Sequence, residues 1–317
     1  MTGTAIPPGP GTDGASAPAG QPGVAFPGQG TKRAETLAAV ATHRDHPLVA
    51  EMLDRLGAAD ESGLDLDDTR VSQPVVYATG IAAADALGLD PAAVPATLGH
   101  SLGELTALAF AGVLDPFDGL TLALRRGEIC RAQQDRRPGA MVAVMGVDST
   151  GVEWIRRQAI GRGGGVLELA GLNGARQTVL SGDTETVRRA VEVAGEVEAL
   201  AEVLPIGGSF HSPLMLEAIP VWRAAVEGME FRPPRTTVFS SIDARPHDVP
   251  AELAELLVRA LLLPVRWRET VLATKAYGVE RLWDAGPGET LHKLGRRDRA
   301  ISFGPAPVGL VAAGDPR

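Results

Sequence analysis

Leu98-Gly99-His100-Ser101-Leu102-Gly103-Glu104 is the stretch from which the rest of the chain is read. It holds Gly-x-Ser-x-Gly, the pattern that sets a serine on a sharp turn between a strand and a helix. The flanking glycines permit a strained turn and a close passage of the helix over the strand. Leu102, Leu105, Leu108, Ala109 and Val113 then recur at helical spacing. Such a turn leaves the Ser101 hydroxyl at the positive end of a helix, where an oxyanion is stabilised. The Leu102 N–H is the natural first donor to that oxyanion.

The 317 residues, 44% of them hydrophobic, can bury a sizeable core in one large or two unequal domains. Aromatic residues make up only 4%, which favours α/β layers with closely packed helices over an all-β sandwich. A formal charge of −9 argues against nucleic acid as a partner. The lone cysteine, Cys130, excludes an internal disulfide and suits a reducing cytoplasm. No window approaches the ~18 apolar residues of a membrane helix. The N-terminus has no basic region followed by an apolar run, so neither a membrane association nor a signal peptide is expected. Cytoplasmic localisation follows as the expectation.

Residues 1–22 are rich in Pro, Gly, Ala and Ser without an apolar period, and read as a disordered tail. Val24-Ala25-Phe26 reads as the first strand, running into the tight turn Pro27-Gly28-Gln29-Gly30, where a side-chain amide can be held facing a site. Helices are expected over 33–57, over 72–88 from near Gln73-Pro74, from Leu102 to about Ala111, and over 115–134 with Asp115 as N-cap. Residues 140–205 change rhythm. A strand at 141–147, a helix at 149–160, strands at 166–172 and 177–181, a helix at 183–197 and a strand at 199–205 give the β-α-β-β-α-β order of a ferredoxin-like unit. Helices at 212–228, 250–262 and 267–277 and strands at 237–241 and 279–284 follow. The implied division is a large domain from 23–138 and 206–305, an inserted small one at 139–205, and a loose tail at 306–317.

A serine hydroxyl needs a base, usually histidine. His43 and His46 lie on a polar helical face, His247 lies in a turn, His292 lies on a helix beside Lys293, and the side chain of His100 should point away from its neighbour Ser101. His211 stands in Gly207-Gly208-Ser209-Phe210-His211-Ser212-Pro213, a glycine-rich loop at a strand end, and is the favoured base.

Phe26-Pro27-Gly28-Gln29-Gly30, Gln73-Pro74, Gly99-His100-Ser101-Leu102-Gly103-Glu104, Arg126-Gly127, Gly139-Ala140-Met141, Asn173, Ser181-Gly182, Phe210-His211-Ser212-Pro213-Leu214-Met215, Pro264-Val265-Arg266-Trp267 and Gly286-Pro287-Gly288 follow in order. In this, the chain resembles the malonyl-CoA:acyl carrier protein transacylases and the acyltransferase domains of polyketide synthases over about residues 24–303. The resemblance implies an α/β-hydrolase-like large domain with a mostly parallel sheet, carrying a ferredoxin-like insert. It implies that Ser101 is the nucleophile and His211 the base, with the Gln29 and Leu102 N–H groups as the oxyanion hole and a backbone carbonyl at Arg266 orienting the histidine. Arg126 matches the arginine that grips a malonyl carboxylate, a task suited to a planar guanidinium. Phe210 matches the type with a small malonyl pocket, and Asn173 and His100 match positions near the substrate.

The implied reaction takes an acyl group from coenzyme A, a substrate, to the phosphopantetheine thiol of an acyl carrier protein, with neither metal nor resident cofactor. Thr31-Lys32 departs from the family, which usually has Ser-Gln or Ala-Gln there. Rival readings are a carrier-to-carrier transferase of a larger acyl group, an editing acyl hydrolase, and a non-catalytic docking protein with a relic site. Carrier proteins are acidic, so an acidic enzyme must offer a locally basic patch. The candidates are Arg156 and Arg157, and Lys293, Arg296, Arg297 and Arg299.

Overall fold

A computed structural model describes residues 21–305. The expected tails, 1–22 except for its last two residues and 306–317, lie outside the described residues. From the N-terminus the chain forms β1 (Gly23–Phe26), α1 (Arg33–Thr42), α2 (Pro47–Leu56), α3 (Thr69–Ala86), β2 (Ala96–Gly99), α4 (Leu102–Phe110) and α5 (Pro116–Arg136). It continues through β3 (Gly139–Met145), α6 (Ser149–Gly161), β4 (Leu167–Gly174), β5 (Gln177–Asp183), α7 (Thr184–Glu196) and β6 (Leu200–Val203). The last third adds α8 (Ile219–Glu227), β7 (Thr237–Ser240), β8 (Arg245–His247), α9 (Pro250–Arg259), α10 (Trp267–Ala276), β9 (Arg281–Asp284), α11 (Thr290–Asp298) and β10 (Ser302–Pro305).

The first sheet has the order β10-β9-β1-β2-β7-β8, parallel except for the antiparallel edge strand β8. Its central strand β1 is wholly buried and sends Val24 and Phe26 into one apolar cluster and Ala25 into another. A strand without a polar side chain on either face requires helices above and below, as parallel sheets do. The second sheet, β4-β5-β3-β6, is antiparallel throughout. It has its own core, in which Val142, Val144 and Leu180 meet Ile155 of α6 and Val187 and Val193 of α7. The edge strand β4 is joined to the segment between α9 and α10, where the Val265 N–H donates to the Ala170 carbonyl (2.9 Å) and the Leu172 N–H to the Val265 carbonyl (2.8 Å). Among the described residues no helix is long and apolar enough to cross a membrane.

Several boundaries differ from the sequence reading. The helix expected over 33–57 is two, because His46 caps a new start by accepting from the Leu48 N–H, and Pro47 opens α2. α3 begins at Thr69, earlier than expected, with the Asp68 carboxylate accepting from the Arg70 N–H at 2.9 Å; Pro74 therefore lies inside the helix. The helix expected over 212–228 is a 3-10 segment, Pro213–Ala218, followed by α8. His247 belongs to a strand, and β10 is a further strand that the Gly- and Pro-rich C-terminal sequence did not announce.

Candidate active site

Two loops at the carboxyl ends of β1 and β2 supply Gln29 and Ser101, the place where open parallel sheets present their functional groups. Ser101 has φ of +54°, a backbone conformation rare outside glycine and a mark of a strained turn. The glycines around it are needed for approach. A Cβ on Gly99 would overlap the Gly103 backbone, and one on Gly103 would overlap the Phe26 carbonyl, so α4 lies directly against both strands. Behind the turn, Glu104 is buried and accepts from Ser240 Oγ (2.6 Å) and Ser241 Oγ (2.8 Å) at the end of β7. Burial raises its carboxyl to about 7, against the lowering effect of the two serines.

Ser101 Oγ lies 2.8 Å from His211 Nε2. His211 also has a positive φ, +56°, and its Nδ1 faces the Leu263 carbonyl at 2.9 Å. A carbonyl only accepts, so Nδ1 carries the proton and Nε2 is left to accept from the serine hydroxyl. The orienting carbonyl is therefore not that of Arg266. The Arg266 carbonyl is occupied in the first turn of α10, accepting from the Thr270 N–H (2.9 Å) and Thr270 Oγ1 (2.8 Å). Leu263 lies in the turn between α9 and Pro264, outside any helical ladder, which leaves its carbonyl free for the imidazole. Burial, then the nearby Arg126 cation, pushes the His211 imidazole down to about 3.

Arg126 is 4% exposed, on the α5 face against α3. Its Nη1 donates to Gln73 Oε1 at 2.8 Å, and among the described residues no carboxylate lies within ion-pair distance of it. Arg125, its neighbour, pairs with Glu128 at the surface. The Arg-Gly step has a packing cause: a Cβ on Gly127 would come within 2.7 Å of the Thr69 carbonyl, so only glycine lets the two helices close at this point. Gln29 is held by its side chain, whose Nε2 donates to Ser72 Oγ at 2.5 Å and lies 3.2 Å from Thr69 Oγ1. Among the described residues the backbone N–H groups of Gln29 and Leu102 have no acceptor.

Asn173 and His100 are brought together rather than left free: His100 Nε2 lies 2.7 Å from Asn173 Oδ1, and the imidazole stands edge-on to Trp267 at 5.3 Å. That pair fastens β4 of the second sheet to the serine turn. Phe210 is buried in the main apolar cluster. The sequence reading missed Thr69, Ser72, Leu263 and the anchoring role of Glu104. The first two had a signal, since Thr69, Ser72 and Gln73 recur at helical spacing just before the apolar run from Val75.

A family described as "Acyl transferase domain" matches residues 28–287. The chain belongs to the acyl transferase domain family. This acyltransferase is 32% identical to the malonyl CoA-acyl carrier protein transacylase of Haemophilus influenzae, over 86% of its own length and 90% of that protein's. It is 33% identical to the polyketide biosynthesis protein ThaF of Burkholderia thailandensis over 86% of its length, but spans only 24% of that longer protein. A crystal structure of an acyl-carrier-protein S-malonyltransferase from Burkholderia pseudomallei superposes with a TM-score of 0.79 at 30% identity, covering 90% of this chain and 96% of that one.

Proposed function

We propose that this acyltransferase moves a malonyl group from coenzyme A, through an ester on Ser101, to the phosphopantetheine thiol of an acyl carrier protein. The observation that carries this reading is a buried arginine without a carboxylate partner beside a serine–histidine pair. Burying a cation alone is costly, and a malonyl carboxylate would relieve that cost with two parallel charge-assisted bonds.

In the first half-reaction the Ser101 hydroxyl proton passes to His211 Nε2 as Oγ attacks the thioester carbonyl. The tetrahedral oxyanion is held by the Gln29 and Leu102 N–H groups, each worth roughly 10²–10³ in rate in comparable sites. The C–S bond breaks, and the departing coenzyme A thiolate takes the proton from His211. In the second half, the carrier thiol gives its proton to His211 and attacks the ester; Ser101 Oγ leaves and recovers the proton. His211 thus serves as base and then acid in both halves, and no resident cofactor enters. Phe210 would close the pocket to α-branched acyl groups, and the His100–Asn173 pair would wall it on the side of the second sheet.

We describe the first sheet with its helices as a hydrolase-like large domain, 23–138 and 206–305, and residues 139–205 as a ferredoxin-like insert. The antiparallel order with two helices on one face supports the second name. The enzyme would act in the cytoplasm. Intact-mass measurement after mixing with malonyl-CoA tests the reading. The protein should gain one malonyl group, Ser101→Ala should gain none, and a phosphopantetheinylated carrier protein should remove it. A group lost to water as fast as it is loaded, with no transfer, would favour an editing hydrolase instead.

A further inference from the structure

The polar groups between Gln29 and Arg126 form one continuous chain, and its direction is fixed from Arg126 as far as Thr69. A guanidinium only donates, so Gln73 must turn Oε1 to Arg126 (2.8 Å). Gln73 Nε2 then has to donate, and its acceptor is Thr69 Oγ1 at 2.8 Å. The Thr69 hydroxyl meets both ends of the Gln29 amide, accepting from Nε2 at 3.2 Å and facing Oε1 at 3.4 Å. Gln29 Nε2 also donates to Ser72 Oγ at 2.5 Å. Gln73 is wholly buried, and Thr69 and Ser72 are nearly so. Water cannot substitute for a missing partner at Gln73, so the chain stands or falls as a unit.

We propose that Thr69 is a positioning residue whose hydroxyl couples the cation of the acyl pocket to the loop that carries the Gln29 N–H. One oxygen serves both ends. Through Gln73 it sets the angle at which Arg126 is presented, and through the Gln29 amide it holds the turn Gly28–Gly30. The packing around it leaves little slack, because Gly127, next to Arg126, lies against the Thr69 carbonyl, and Gly28 lies against the His100 carbonyl. Selection of an acyl group with a carboxylate and stabilisation of the oxyanion are therefore set by the same contact. This inference rests on the malonyl reading above.

The test is the rate of acyl-enzyme formation, by intact mass, with malonyl-CoA and with acetyl-CoA. Thr69→Val keeps the shape and removes the hydroxyl. It should slow acetyl loading roughly tenfold through the oxyanion loop alone, and malonyl loading roughly a hundredfold through both ends. The malonyl-to-acetyl ratio then falls roughly tenfold, and Thr69→Ser restores both rates. Equal slowing of the two substrates, or a Thr69→Ser protein as impaired as Thr69→Val, overturns the coupling. Should Thr69→Val not fold, Thr69→Ala carries the test. It removes the same hydroxyl and should lower the same ratio as far; an unmoved ratio overturns the coupling. A wild-type protein that takes no malonyl group removes the malonyl reading and this inference together. A wild-type protein that loads malonyl while the variants' ratio stays fixed removes the inference alone.

Discussion

At the residue scale the decisive pair is Arg126 and His211, because the cation bears on the basicity of the imidazole. Burial, and after it the Arg126 cation, holds His211 neutral far below its ordinary range. A base so depressed is a weak one, yet a malonyl carboxylate on Arg126 would cancel the cation and let the imidazole regain basicity once substrate is bound. Arg126→Ala should cut malonyl loading by two orders of magnitude or more, since removing one partner of a buried charge pair costs ~3–5 kcal/mol. Acetyl loading should change little. The same variant should move the acid limb of acetyl loading to higher pH, because the nearby charge that lowers His211 is gone. Loading rates for both substrates across pH 4–8 check this, and equal loss for malonyl and acetyl would make the arginine structural only. Stability carries the matching sign. Between about 3 and the ordinary histidine value of about 6.5, the unfolded chain binds a proton that His211 in the folded chain refuses. This residue's contribution therefore falls as pH drops through that window.

At the element scale Glu104 joins the start of α4 to the end of β7, and its titration is opposite in sign. A carboxyl raised to about 7 by burial holds a proton that the unfolded chain has released, so stability declines as pH rises from the ordinary carboxylate range to about 7. Glu104→Gln should flatten that decline relative to wild type and keep bonds to both serines, one as acceptor and one as donor. Glu104→Ala should cost about 1–3 kcal/mol for leaving the Ser240 and Ser241 hydroxyl protons without their acceptor. Thermal unfolding at pH 5, 6, 7 and 8 measures both, and a wild-type slope retained in Glu104→Gln would exclude Glu104 as its source. The strand–turn–helix around Ser101 was legible in sequence because glycine spacing and leucine periodicity both report backbone demands. His211 was legible because a glycine-rich loop isolates it. Leu263 was not, since a backbone carbonyl leaves no side-chain signature and its aim depends on the turn before Pro264. Thr69 was hidden by a misplaced helix start: with α3 begun near Gln73, Thr69 falls in a loop, whereas the Asp68 cap puts it one turn below Gln73.

Over the whole molecule the question is where an acidic protein of net charge −9 receives an acidic partner. The structure separates the candidate cations. Arg156 is engaged by Glu153 and Glu168, Arg157 by Glu153, and Lys293 by Glu35 and Glu289. Arg296, Arg297 and Arg299 have no carboxylate partner among the described residues; Arg297 Nη1 lies 3.8 Å from the Met145 sulfur. Asp298 accepts from the Ala175 N–H at 2.7 Å, which draws the β4–β5 turn and its Arg176 against the end of α11. Arg176 is itself turned onto the Gly146 carbonyl. The β4–β5 turn, which carries Arg176, is thus joined to the end of α11, which carries Arg296, Arg297 and Arg299, through Asp298, itself paired with Arg268. Cations in a last helical turn also complement the helix dipole, and that role alone would account for Arg296 and Arg297. The two roles differ in what they leave untouched. Arg296→Glu with Arg297→Glu should leave malonyl loading from coenzyme A as it is, and slow transfer to the carrier protein roughly tenfold or more at low salt. The deficit should shrink as added salt shortens the reach of surface charges. Arg156→Glu with Arg157→Glu, where the cations are already paired, should slow transfer less. Transfer rates unchanged at low salt in the α11 variant would leave the dipole as the whole explanation of these arginines.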